Sequence, residues 1–222
     1  MNSNATVPLA IIIGGLVLAG AVYLSVAKRL PAGSAGGNAA LVRPVDSSDH
    51  VLGNPAAPVK IVEYSDFYCS FCKNFHTTLE QVIASEGAGG EVSWVYRHFP
   101  LFEIHPNAAA AARASECAAS VGDNEAFWKF SKELFAAQPA DPVKFGEYAQ
   151  KAGVPGEAFA ACYANNPAAD ERVTADRQNA MAIGARGTPF SLILVEGRAP
   201  VVIDGAYSYN AVKVLVEQAL AD

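Results

Sequence analysis

The stretch VKIVEYSDFYCSFCKNFH, Val59 to His76, decides the fold. Its first part, with Pro58 just before it, runs to Phe67, is β-branched at Val59, Ile61 and Val62, follows the turn-like GNPAAP, and reads as a strand. From Cys72 onward the apolar residues Phe75, Leu79, Val82 and Ile83 have helical spacing, and Gly87 can close the helix. Cys69 and Cys72 therefore fall at a strand-to-helix turn. A second strand follows in EVSWVYRHFPL, Glu91 to Leu101, where Val92, Trp94 and Tyr96 alternate. Strand, helix, strand is a βαβ unit.

Beyond it lies a mostly helical block. HPNAAAAARASECAASVG is Ala-rich, and DNEAFWKFSKELFAAQ opens on an acidic cap with Phe127, Phe130 and Leu134 on one face. Further short helices run to about residue 184. Two apolar strands follow, TPFSLILVEG and APVVIDGA, joined by a turn at Gly197, and YNAVKVLVEQALA ends the chain as a helix. The expected class is α/β, a βαβ…ββα frame interrupted by a helical insertion at approximately 107–184.

The chain has 222 residues, 51% hydrophobic, enough for one good core or for one domain with an appendage. Acidic residues outnumber basic ones 22 to 16, for a net charge of −6. With no Lys/Arg-rich run, a basic nucleic-acid footprint is excluded. The first residues, 1–6, carry no Lys or Arg. Val7 to Ala27 then runs uncharged, long enough to cross a bilayer core of roughly 30 Å. We expect a single retained transmembrane signal-anchor at 7–27, although Ser25–Ala27 offers a small-residue cleavage site. Residues 28–48, rich in Gly, Ala, Ser and Pro, read as a flexible linker, and 49–222 as the catalytic domain. Lys28 and Arg29 after the anchor favour a cytoplasmic flank. The cysteine chemistry favours the opposite side, and we let it decide.

Three readings of Cys69 and Cys72 compete. A zinc site needs four ligands, and this motif supplies two, with His76 as a possible third. A structural bridge across so small a ring constrains little chain entropy. A redox pair fits best. The start of a helix offers unpaired N–H groups and a partial positive charge. That stabilises a thiolate at Cys69, and only thiolates attack disulfides. Cys72, one turn on and less exposed, can close the ring and expel a bound partner. The electrons move between sulfurs, so no organic cofactor or metal is expected. Of the aromatics, Tyr68 and Phe71 could form an apolar rim that receives unfolded chains.

VKIVEYSDFYCSFCKNFH, VYRHFPL and GARGTPF occur in an order that resembles the DsbA-like thiol:disulfide oxidoreductases of the thioredoxin superfamily. The resemblance runs from about Asp49 to the C-terminus. It implies a thioredoxin fold, with Cys69 and Cys72 as the catalytic, redox-active disulfide. It also implies that Glu63, six residues before Cys69, is a partly buried proton relay. Thr188–Pro189 corresponds to the family's cis-proline loop, which binds an extended substrate backbone. Cys117 and Cys162 resemble the second disulfide of some relatives; a bridge there would close a loop of about 45 residues and stabilise by roughly 4 kcal/mol. The motif dipeptide departs from the pattern: Ser70–Phe71 stands where strongly oxidising members carry Pro–His, so a milder oxidant is expected. His76, His98 and His105 are candidates to supply charge from elsewhere.

The expected function is disulfide formation in exported or cell-surface proteins, on the extracytoplasmic side of the cell membrane, with reduced or misfolded polypeptides as clients and a membrane redox partner. The alternatives are a reductase or isomerase of the same fold, or a metal-binding or redox-inert chaperone-like module.

Overall fold

The computed structural model describes residues 38–221. The expected membrane segment at 7–27 lies outside them. Among the described residues, no helix is long and apolar enough to cross a membrane. The strands are β1 (His50–Gly53), β2 (Val59–Ser65), β3 (Val92–His98), β4 (Phe190–Val195) and β5 (Val201–Asp204). The helices are α1 (Ser70–Glu86), α2 (Ala108–Val121), α3 (Asn124–Ala136), α4 (Phe145–Lys151), α5 (Gly156–Ala164), α6 (Pro167–Ala182) and α7 (Tyr209–Ala221). The βαβ…ββα frame and the insertion are as expected, with α2 to α6 forming the insertion.

The five strands make one sheet in the order β1-β3-β2-β4-β5. β2 runs parallel to β3 and antiparallel to β4. It is the central strand, and its two faces enter two different cores. Val59 and Ile61 point into a large core with Phe75, Leu79 and Val82 of α1, Val212 and Val216 of α7, and the first helices of the insertion. Val62 and Tyr64 point to the other face, against Ala180 of α6 and neighbouring Ile183. A strand covered on both sides is largely apolar, and Glu63, a carboxyl wholly buried within it, becomes the notable residue of the strand.

Helix α1 shows why its sequence folds as it does. Cys72, Phe75, His76, Leu79 and Val82 are its buried residues, spaced three and four apart. Each large apolar side chain on that stripe contributes about 1.5–3 kcal/mol by burial, and truncating Phe75 to Ala costs about 3–5 kcal/mol. Gly87 takes the C-cap position, its N–H donating to the Ile83 carbonyl.

Two stretches differ from expectation. β1 pairs antiparallel with β3, His50 opposite Tyr96, although it was not anticipated as a strand. Residues 38–48, read as part of the tether, are held against the domain. The Arg43 backbone N–H donates to Asn179 Oδ1 at 3.0 Å, and its guanidinium reaches Asp49 Oδ1 at 2.8 Å and Asp176 Oδ1 at 3.2 Å. Arg97, wholly buried on β3, grips Asp49 with two bonds, Nε to Oδ1 at 3.0 Å and Nη2 to Oδ2 at 2.9 Å. The tether reading failed here because it rested on composition, whereas the segment is fixed by charges.

Candidate active site

The chain leaves the buried end of β2 at Ser65 and turns into α1 within four residues. Asp66 builds that turn. Its Oδ1 accepts from Tyr68 N at 2.8 Å, and its Oδ2 accepts from Leu101 N and pairs with His105 Nδ1, both at 2.8 Å. Its backbone carbonyl accepts from Cys69 N at 3.1 Å. Cys69 is thereby delivered to the N-cap of α1, in an extended conformation with φ −79° and ψ 121°.

Cys69 and Cys72 are both free thiols. Cys69 keeps 6% of its surface exposed and Cys72 none. The Cys69 thiol lies 3.3 Å from the Thr188 carbonyl, to which it donates. Its titration is driven well below the ordinary thiol range. The largest cause is hydrogen bonding from the Cys72 thiol; burial opposes, and Thr188 and the N–H groups of Cys72 and Phe71 add to the depression. The expected helix-start donors thus contribute, but the neighbouring sulfur contributes more. Cys72 moves the opposite way, pushed well up by burial and by the Cys69 sulfur and Glu63 nearby.

Glu63 lies beneath the pair. It sits opposite Tyr96 on β3 and Ser191 on β4, and it is fully buried. Burial pushes its carboxyl up to about 8. Ser65 and Trp94 lie near enough to oppose that shift, yet neither carboxyl oxygen has a hydrogen-bond partner among the described residues. Ser65 Oγ, Trp94 Nε1 and Tyr96 OH are unpartnered in the same way. Buried polar atoms are usually satisfied, so a carboxyl left in this state beside two thiols makes Glu63 a candidate functional residue.

Thr188 and Pro189 precede β4 and are joined by a cis peptide bond, as the resemblance implied. The structure thus brings Thr188 against the Glu63–Cys72 stretch from 119 residues away in sequence. Cys117 and Cys162 are joined in a disulfide that ties α2 to α5. Ser70 is exposed, and Phe71 is 63% exposed beside the cysteines. Tyr68 is only half-buried, its hydroxyl donating to the Ala140 carbonyl. Tyr64, Phe67 and Phe75 are core packing.

The candidate histidines stand in three different settings, and among the described residues none of them hydrogen-bonds to the Cys69 sulfur. His76 is buried against Trp94 and Phe135, each ring 4.6 Å away, and burial drives its titration down to about 3. It is neutral at physiological pH. His105 is committed to Asp66. His98 and His50 both reach Glu116 Oε1, at 2.7 and 2.6 Å, with Arg172 Nε at 3.4 Å from the same oxygen. His50, His98 and Glu116 are the one group of converging ligand atoms among the described residues, and Cys69, Cys72 and His76 do not form another.

Sequence reasoning missed Asp66 and Gln138. Asp66 carries a usable signal, an Asp directly after a strand run, where a side-chain turn is favoured. Gln138 carries none. Its Nε2 donates to the carbonyls of Phe67 at 2.9 Å and Cys69 at 3.0 Å, across some seventy residues of sequence.

A family model described as Thioredoxin matches residues 46–218. Among curated proteins, the Na(+)/H(+) antiporter NhaA 1 of Mycolicibacterium gilvum is 39% identical over 154 residues, 67% of this chain and 24% of that protein. NhaA 3 of Salinispora tropica is 38% identical over 139 residues, 60% of this chain and 20% of that protein. The chain spans about a quarter of the length of the curated relatives it matches. Three solved structures are similar in fold. Alpha-DsbA1 of Wolbachia pipientis superposes with a TM-score of 0.70 at 21% identity, covering 82% of this chain and 94% of that one. BdbD of Bacillus subtilis gives 0.70 at 23%, covering 82% and 97%. DsbA2 of Pseudomonas aeruginosa gives 0.64 at 26%, covering 79% and 96%. With the thioredoxin frame, its helical insertion and the two cysteines at the start of α1, the chain belongs to the thioredoxin family and has a DsbA-like fold.

Proposed function

We propose that this protein is a thiol:disulfide oxidoreductase that forms disulfides in exported or cell-surface polypeptides. The observation that carries the reading is the pairing of two unlike thiols one turn apart, an edge sulfur at the cap of α1 and a wholly buried sulfur behind it.

In the oxidised enzyme a client thiolate attacks Cys69 Sγ. The Cys69–Cys72 bond breaks, a client–Cys69 mixed disulfide forms, and Cys72 leaves as a thiolate. A thiolate so deeply buried is costly, so it takes a proton, and Glu63 in its neutral form is the donor at hand. A second client thiolate then attacks the client's sulfur, the client disulfide closes, and Cys69 leaves as a thiolate. Two electrons have passed from client to enzyme. A low-lying Cys69 thiolate makes this direction favourable, because stabilising the reduced form makes the disulfide a stronger oxidant. A membrane redox partner re-forms the Cys69–Cys72 bond by accepting the two electrons.

Phe71 supplies an apolar contact for an unfolded client, and the Thr188 backbone a place for its extended chain to pair. The N-terminal segment at 7–27 would tether the domain to the membrane, with its cysteines on the extracytoplasmic side. That the similar segment of the antiporter relatives forms part of proteins named as membrane transporters supports a membrane-proximal site of action.

The test is trapping. A Cys72→Ser variant should accumulate mixed disulfides through Cys69 with exported proteins, and a Cys69→Ser variant should not. Failure of both to trap any client overturns the reading. Ser70–Phe71 in the motif favours a milder oxidant, and a reductase or isomerase is the second reading. A measured reduction potential well below that of glutathione would select it.

A further inference from the structure

We propose that Gln138 is a positioning residue for Cys69, through which the helical insertion sets the reactivity of the redox sulfur. The inference rests on the exchange reading above and goes beyond it.

Helix α3 ends at Ala136, and the chain then turns back across the loop that leads into α1. Gln138 meets two carbonyls there, Phe67 at 2.9 Å and Cys69 at 3.0 Å. Both partners are acceptors only, so the amide must present its NH2 and not its oxygen. Its two hydrogens serve the carbonyls of the residues on either side of Tyr68. The Tyr68 hydroxyl in turn donates to the Ala140 carbonyl. Three bonds therefore clamp three consecutive residues, Phe67 to Cys69, to a loop of the insertion.

The bond to the Cys69 carbonyl matters for chemistry. That oxygen already accepts the first helical bond of α1, from Lys73 N at 3.1 Å. Gln138 is a second donor on the same atom. It withdraws negative charge from a carbonyl that belongs to the residue carrying the thiolate. It also holds the extended ψ of 121° that aims the sulfur at Thr188 and at the free N–H groups of the first turn. Removing the donor leaves the carbonyl more negative and the residue freer to rotate. Both effects disfavour the thiolate.

The experiment uses the full chain in detergent, with Gln138→Met and Gln138→Glu. Met keeps the length and loses the donors; Glu keeps the shape and adds a charge. Three quantities are read: the pH midpoint of the Cys69 thiolate absorbance near 240 nm, the equilibrium with glutathione, and the thermal midpoint. Losing one hydrogen bond to the site is expected to cut the thiolate fraction below its midpoint, and the oxidising equilibrium with it, by roughly three- to tenfold in the Met variant. The Glu variant should lose more. If the titration and the glutathione equilibrium stay at wild-type values while only the thermal midpoint falls, Gln138 is a loop tether and the proposal is overturned. Failure of the exchange reading looks different: the wild-type sulfur would itself titrate as an ordinary thiol, and Cys72→Ser would trap nothing.

Discussion

Replacing Glu63 by Gln should make the protein more stable, and increasingly so as pH rises. The carboxyl is fully buried, without a hydrogen-bond partner among the described residues, and titrates near 8 where an unperturbed Glu stands at 4.5. Between those values the folded chain holds a proton at Glu63 that the unfolded chain has released. Stability therefore falls as pH climbs through that interval, and the loss is complete above the folded value. At about 1.4 kcal/mol per pH unit, the 3.5 units separating 4.5 from 8 set a ceiling of about 5 kcal/mol on this loss. The amide and the protonated carboxyl it replaces are both neutral and both buried without a partner, so their burial costs largely cancel, and the net gain at pH 9 should approach that ceiling, about 3–5 kcal/mol. The assay is urea denaturation of the oxidised protein between pH 5 and 9, followed by fluorescence of the buried Trp94 and Trp128. In that form neither redox sulfur titrates. The wild-type and E63Q stabilities should differ least at pH 5, diverge steadily, and run parallel above about pH 8.5. A difference that stays constant with pH would refute the argument, since the carboxyl would then be ionised throughout. The same variant should slow release of Cys72 from the disulfide, read as a slower first step of client oxidation at neutral pH.

Three other outcomes are expected. Replacing both Cys117 and Cys162 by Ser, which opens a sequence separation of 45 residues, should cost about 3–4 kcal/mol in denaturation and leave Cys69 alkylation rates unchanged. Asp49→Asn strands the buried Arg97 guanidinium and should cost about 3–5 kcal/mol; a loss under 1 kcal/mol in the same assay would show that the pair is not needed. His76→Phe should remove part of the acid lability. The buried imidazole titrates near 3 rather than 6.5, so the unfolded chain binds the extra proton between those values and wild-type stability falls on acidification through them. A variant whose stability between pH 6 and 4 falls as steeply as wild type would refute that.

What could be read in the sequence was what local pattern encodes. The β-branched run of β2, the three-and-four spacing of α1 and the alternation of β3 gave the frame, and CSFC marked its reactive corner. β1 escaped because His50–Gly53 is four residues long and follows a stretch of tether-like composition. Residues 38–48 looked free because what fixes Arg43 is ion pairing with Asp49 and Asp176, and Asp49 is held in turn by Arg97, partners found only in the folded chain. Glu63 was legible only through family resemblance; in the run itself it passes for an exposed strand residue, and its burial depends on strands and helices on every side. Gln138 was invisible for the same reason, since nothing near it in sequence announces two carbonyls.

Thr188 offers the Cys69 sulfur two different atoms. While the sulfur carries its hydrogen, the Thr188 carbonyl is engaged by it. Once the hydrogen is gone, by ionisation or by bonding to a client, that oxygen loses its donor, and the Thr188 hydroxyl nearby can turn toward the sulfur in its stead. The vacated carbonyl is then an open acceptor, free for the client backbone that the exchange reading places there. Under the proposed exchange the acceptor is open in the disulfide form and in the thiolate form, and is taken by the sulfur's own hydrogen only in the neutral dithiol.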